Sequence, residues 1–420
     1  MNLLIENSGY HLRNLGDAAM LQAACRLILN HRPNARVRVF TTNPDRLTML
    51  CPGVEPITPL GQSAWLSAKC YPLPRRLLPQ SLCDVLFVNE KDYKYAYPEK
   101  ALARMQRRGD YQQYHAEKVE SWLAAIAWTD AVVATGGGYF TDAFGGHLEG
   151  LLHTVRWAQH KGKTTAFFGQ GLGPLQSKRL RRLAGTALGV ARCVSLREGL
   201  DGLTLGKSLG CNTADWKVTG DDAFVGLCSF KPTLNSGDIL GINLRVASYA
   251  GVDKAAFTVL AEALEYTRAA LGGMWMPLPV DLCPTRGDAP QTLSLLAEET
   301  LSPNYRLPTV PQDLVNLVSH CRAVITGSYH AAVFALALGT PVVAFAANAY
   351  YASKFKGLKT FFGDGVLIID PTAVGLKSTL MEAVRSQWDM PNIQREHLVE
   401  RARGIADSVT SFYQEFLDKL

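Results

Sequence analysis

The sequence predicts an α/β protein built from two Rossmann-type domains with mostly parallel sheets, and three observations lead there. Short apolar, β-rich runs alternate with segments long enough for helical crossovers. The chain opens on strand, glycine-containing loop and helix, the start of a doubly wound unit: Leu3-Leu-Ile5, a loop over 7–16, then an amphipathic stretch over 17–29. A second strand series begins after a segment of linker composition, Lys231-Pro-Thr-Leu-Asn-Ser-Gly237. At 420 residues the chain is too long for one ordinary core. The expected division is a first domain over 1–225, a second over 238–392, and a terminal helix over 393–420 that returns to brace the first.

In the first half the further strand candidates are 36–41, 85–89, 131–135, 165–168 and 193–196. The proline-rich stretch 52–76 reads as an irregular insertion, and 93–128 as one long helix or two. In the second half strands are expected at 239–244, 275–278, 323–326, 342–345 and 366–369, with a helix over 253–271. The stretch 327–358 is the most informative. Gly327-Ser328 breaks a buried strand before a helix, Gly339-Thr340-Pro341 ends that helix, and Val342-Val-Ala-Phe345 resumes as a strand. In such a β-α-β unit ligands bind beyond the carboxyl ends of the strands, where a helix N-terminus offers N–H groups to an anion. Ser328, Tyr329 and His330 fall at that spot, and a loop after the second strand is expected to carry Lys354 and Lys356 towards it.

Composition excludes several classes. Charged residues at 19% suit a soluble packed protein, and no apolar run approaches the ~20 residues of a helical membrane span. The N-terminus has no basic lead or long apolar core, so a cytosolic protein is expected. Nine scattered cysteines without a C-x-x-C pair predict neither a metal site nor a disulfide framework. A net charge of +6 is small for this length and does not point to nucleic acid. The basic run Lys178-Arg-Leu-Arg-Arg182 reads as a solvated helix face, with docking on the inner face of a membrane as the rarer use of such a run.

Several separated pieces share an order: Asn14-Leu-Gly-Asp17, Gly136-Gly-Gly138, Gly169-Gln-Gly-Leu-Gly-Pro174, Ser195-Leu-Arg-Glu198, Gly220-Asp-Asp222, Gly241-Ile-Asn-Leu-Arg245 and Tyr329-His330. Together they resemble the polysaccharide pyruvyltransferase family over nearly the whole chain. The resemblance implies a GT-B-like fold with a site between the domains, and transfer of the enolpyruvyl unit of phosphoenolpyruvate to a sugar hydroxyl pair as a ketal. It implies no cofactor beyond that co-substrate, and a sugar or lipid-linked oligosaccharide as acceptor. One departure stands out: the family often has arginine, one residue, then histidine, where this chain has Ser328-Tyr329-His330. Lys354 is the expected replacement, although a lysine does not reproduce bidentate carboxylate binding.

Chemically, ketal formation needs a proton for the methylene carbon, cations for phosphate and carboxylate, and removal of two hydroxyl protons. A lone histidine is usually structural. His330 is nevertheless the candidate general acid, because of its strand-to-helix position and because imidazole titrates near neutral pH. Asp17 and Asp222 are the further catalytic candidates, each with a plainer reading as a helix-start acid or a solvated hinge acid. Arg197, Arg245, Ser328, Tyr329 and Lys354 are the donor-binding candidates. Asn14, Gly16, Gly137 and Gly138 are the acceptor-side candidates, since glycine lets backbone approach a ligand. Two rival readings use the same fold: a nucleotide-sugar-dependent glycosyltransferase, and a glycan-binding protein without catalysis.

Overall fold

The computed structural model describes residues 1–71, 79–230, 237–244, 254–284, 287–294 and 296–420. Its first sheet contains β1 (Asn2–Glu6), β2 (Arg36–Phe40), β3 (Glu55–Ile57), β4 (Ala131–Ala134), β5 (Gly137–Phe140), β6 (Thr164–Leu172), β7 (Cys193–Leu196) and β8 (Lys217–Val218). They run in the order β3-β2-β1-β4-β6-β7-β8, with β5 also paired to β6. The second sheet contains β9 (Ile239–Asn243), β10 (Met274–Pro277), β11 (Ala323–Thr326), β12 (Val342–Phe345) and β13 (Val366–Ile369), in the order β10-β9-β11-β12-β13. Every pairing between these strands is parallel. Parallel strands covered on both faces are apolar on both faces. Leu3, Leu4 and Ile5 accordingly have no exposed surface, and all four residues of β4, β11 and β12 are buried.

The strand order reverses between β1 and β4 in one sheet and between β9 and β11 in the other, which are the two places where a doubly wound sheet opens a crevice. The core does not stop at the domain boundary. Buried residues of β1 and β2 belong to the same apolar cluster as the helices Leu15–His31, Tyr329–Ala337 and Asn392–Asp418. The C-terminal helix packs against Leu15–His31, Ala223–Leu227 and Tyr329–Ala337, so it touches both halves. Its Tyr413 ring lies 4.1 Å from that of Phe168, and its hydroxyl donates to the Asp222 carboxylate at 2.9 Å.

Three expectations are corrected. Residues 85–89 are not a strand but lie inside the helix Gln80–Ala96, because a short apolar run carries no period of its own. The stretch 93–128 is cut into the end of that helix and Pro98–Gln106, Gly109–Tyr114 and Ala116–Trp128; proline and glycine start two of the pieces. The proline-rich stretch contains β3 and the helix Leu60–Ser67, although 72–76 falls outside the described residues. Most of the expected linker, 231–236, also falls outside them. The basic run at the start of Lys178–Val190 is partly neutralised, since Arg179 pairs with Asp92 and Glu149 and Arg182 pairs with Asp92. No helix among the described residues is long and apolar enough to cross a membrane.

Asp222 yields a prediction about stability. Burial, and then the neighbouring Asp221 charge, push its carboxyl up to about 8 against the Tyr413 hydrogen bond. Its folded value therefore exceeds the ordinary 3.8, so the folded state binds more protons and this group's contribution is lost as pH rises from about 4 through about 8. Thermal unfolding followed between those limits should show a wild-type decline that is shallower in Asp222→Asn. A decline of equal slope in both proteins would rule the residue out as its source.

Candidate active site between the two sheets

Residues just beyond the carboxyl ends of β1, β7, β10, β11 and β12 converge on one cleft of about 170 Å³. From the first domain come Ser8, Asn14 and Asp17, then Gly138 and Arg197. From the second come Asp281, the Ser328–His330 segment, and Tyr350 and Lys354.

Arg197 is the most constrained of these. It is 3% exposed, yet among the described residues its Nε and Nη2 have no hydrogen-bond partner, and its Nη1 stands 4.0 Å from Asp221 Oδ2. Its guanidinium lies over the Tyr329 ring, 4.3 Å from the centroid. Buried donors without acceptors are costly, so a guanidinium left this way in a cleft wall suits an oxyanion. The wall opposite is bare backbone. A Cβ at Gly138 would come within 2.9 Å of both Arg197 Nη2 and Lys354 Nζ, so a cation from each domain stands over the same glycine. Lys354 meanwhile donates to the Tyr350 hydroxyl, which itself donates to the Gly138 carbonyl at 3.3 Å.

His330 occupies the first turn of Tyr329–Ala337, whose N-cap Ser328 makes no side-chain capping bond. The imidazole is 7% exposed, and its Nε2 faces Asp221 Oδ2 at 3.6 Å, an ion-pair separation with no hydrogen bond at that nitrogen. Its other side rests on Gly16 of the first domain, where an added Cβ would fall 2.0 Å from the ring. Burial alone would raise the Asp221 carboxyl; His330 and Arg197 outweigh it and hold the group below the ordinary carboxylate range. Asp221 is further fixed by the Ala223 N–H, which donates to Oδ1 at 2.9 Å.

The structure thus brings together most of the residues chosen from sequence, with specific differences. Asp222 is not in the cleft: it is fully buried against Tyr413, and the acid facing His330 is its neighbour Asp221. Asn14 lines the cleft while its side-chain oxygen caps the first helix, accepting from the Gly16 and Asp17 N–H groups. Gly138 lines the cleft, whereas Gly137 packs on Ser8. The segment after β12 is not a loop but the helix Ala349–Phe362, capped by Asn348. Residues two apart on a helix point to different sides, so Lys354 enters the cleft and Lys356 is exposed outside it. Arg245 lies outside the described residues. Asp281 and Tyr350 are not among the candidates the sequence offers; both follow carboxyl ends of second-sheet strands, the position to which the topological rule points.

Two Rossmann-like domains with a ligand-ready cleft between the carboxyl ends of their sheets define a GT-B-like protein. The same fold is found in the UDP-GlcNAc 2-epimerase from Neisseria meningitidis bound to UDP-GlcNAc, with a TM-score of 0.55, 12% identity and 100% of both chains covered. It recurs in the UDP-GlcNAc 2-epimerase from Methanocaldococcus jannaschii, at 0.55, 10% and 93% of each chain. A UGT transferase from Siraitia grosvenorii in complex with UDP gives 0.54, 11% and 99% of each chain. At such identities the likeness concerns the fold alone. The sequence has no significant match among curated proteins. The chain belongs to the polysaccharide pyruvyl transferase family, whose sequence profile it matches over residues 14–348.

Because the His330 ring occupies the space over Gly16, Gly16→Ala should force the ring or the domains apart. Overpacking of this kind costs roughly 1–3 kcal/mol, to be read from thermal or denaturant unfolding. An unchanged midpoint would mean that the contact yields without cost.

Proposed function

We propose that the protein transfers the enolpyruvyl unit of phosphoenolpyruvate to a hydroxyl pair of a sugar, as a ketal, during assembly of a surface polysaccharide. The observation that carries this reading is Arg197, a buried guanidinium with two unpaired nitrogens, standing with Lys354 over Gly138 beside His330. Phosphoenolpyruvate has a carboxylate and a phosphate on one carbon. Arg197 suits the planar carboxylate, while Lys354 and the uncapped helix start at Ser328 and Tyr329 suit the phosphate. In this assignment the two cations together replace the arginine that the family often has at position 328.

In the proposed reaction the His330 imidazolium donates its proton to the methylene carbon, and one sugar hydroxyl attacks the adjacent carbon. The carbon–oxygen bond to phosphate then breaks, phosphate leaves, and the second hydroxyl closes the ketal. One hydroxyl proton restores the imidazolium and the other departs with inorganic phosphate. Asp221, whose Oδ2 faces His330 Nε2 at 3.6 Å, acts through His330 by orienting the ring. Asp17, at the start of the first helix, is the candidate to relay to the departing phosphate the hydroxyl proton that leaves with it, with Asn14, Gly16 and Gly138 shaping the acceptor side.

Calorimetric titration with phosphoenolpyruvate tests the donor assignment. Arg197→Ala should lose roughly ten- to more than a hundred-fold in affinity, as expected for a charge-assisted hydrogen bond of about 1.5–3 kcal/mol. Wild-type protein that binds nucleotide sugars but not phosphoenolpyruvate would reject the donor. His330→Gln should retain most donor affinity while turnover falls by ~10²–10⁴. Near-normal turnover in that variant would move the acid elsewhere.

A further inference from the structure

The cleft just described is small. At about 170 Å³ it lies below the ~300 Å³ at which ligand pockets usually begin, so a donor that fills it leaves no room for a sugar. A second chamber of about 370 Å³ adjoins it, and the two share a wall made of Asn14, Asp17 and Asp281. That wall is an interdomain seam. Asn14 and Asp281 form an antiparallel bridge: the Leu15 N–H donates to the Val280 carbonyl at 2.8 Å, and the Leu282 N–H to the Arg13 carbonyl at 3.0 Å. One carboxylate from each domain is thereby held where the two chambers meet. Carboxylates accept hydrogen bonds from sugar hydroxyls.

The outer rim of this chamber has the opposite charge. Leu12 is the one non-glycine described residue with a positive φ, 56°, and its side chain is buried in the core. That left-handed turn leaves His11 and Arg13, on either side, exposed and lining the chamber. A non-glycine residue persists in this conformation only where its surroundings impose it. Among the described residues Arg13 makes no side-chain hydrogen bond or ion pair. Arg46 stands close enough that, after burial, the Arg13 charge is what disfavours its own. Arg46 is tied down by the Leu12 carbonyl and, at 2.7 Å, by the Thr309 carbonyl. Arg13 thus stands on the chamber rim as an exposed cation, next to the Leu12 carbonyl that Arg46 holds.

We propose that this second chamber is the acceptor subsite and that it takes a glycoside bearing an anionic group, phosphate or carboxylate, which Arg13 holds while Asp17 and Asp281 hold the reacting hydroxyls. The proposal rests on the pyruvyl-transfer reading for what happens to those hydroxyls, but the binding it describes is independent of it. Calorimetry with a panel of hexose 1-phosphates, methyl hexuronides and the matching neutral methyl hexosides tests it. At least one anionic glycoside should bind wild-type protein more tightly than its neutral counterpart, and Arg13→Ala should reduce that affinity roughly ten-fold or more. The same variant should leave phosphoenolpyruvate affinity unchanged. Which series responds, phosphates or uronides, identifies the anion. If no anionic glycoside exceeds its neutral counterpart, or if Arg13→Ala binds both alike, the proposal is overturned. Failure of the donor reading would show instead as unaltered phosphoenolpyruvate affinity in Arg197→Ala, with the Arg13 effect intact.

Discussion

A buried carboxylate, Asp221, lies between the Arg197 guanidinium and the His330 imidazole, which belong to different domains. Arg197 comes from the end of β7 and His330 from the helix after β11. Placing a charge out of water is expensive unless it is paired. Asp221 meets that cost by sitting between both groups, and by doing so it fixes how the carboxyl ends of the two sheets face each other. On one side Arg197 retains donors that none of the described residues satisfies.

The rest of the cleft is shaped by what is missing from it. Gly16 allows the His330 ring to lie against the first helix, and Gly138 and Gly171 leave the space around the Arg197 guanidinium open. A methyl group at any of the three would collide with a side chain of the cleft: His330 at Gly16, Arg197 at Gly171, and both Arg197 and Lys354 at Gly138. The apolar scaffold behind them is continuous, from β1 through the first helix to the C-terminal helix, so these contacts rest on a shared core rather than on a hinge.

Much of this organisation was legible in the sequence. Parallel strands buried on both faces announce themselves as short apolar runs, which is why Ile239–Asn243 and Val342–Phe345 were readable to within a residue. The same signal misled at 85–89, where Val-Leu-Phe-Val proved to be one part of an amphipathic helix. His330 and Lys354 were legible because a strand-to-helix turn and a strand end carry a positional rule. Asp221 and Asp222 are adjacent in sequence, and only the packing of the C-terminal helix decides which of them is walled off by Tyr413. Asp281 joins the cleft through a bridge between domains that no local pattern encodes.

The contact between Gly16 and His330 has a consequence for inheritance. The candidate acid is contributed by one half of the chain, and the hollow that admits it by the other. The two halves are coupled at this point: a second half grafted onto a first half with any side chain in place of Gly16 would find its histidine pressed against that side chain.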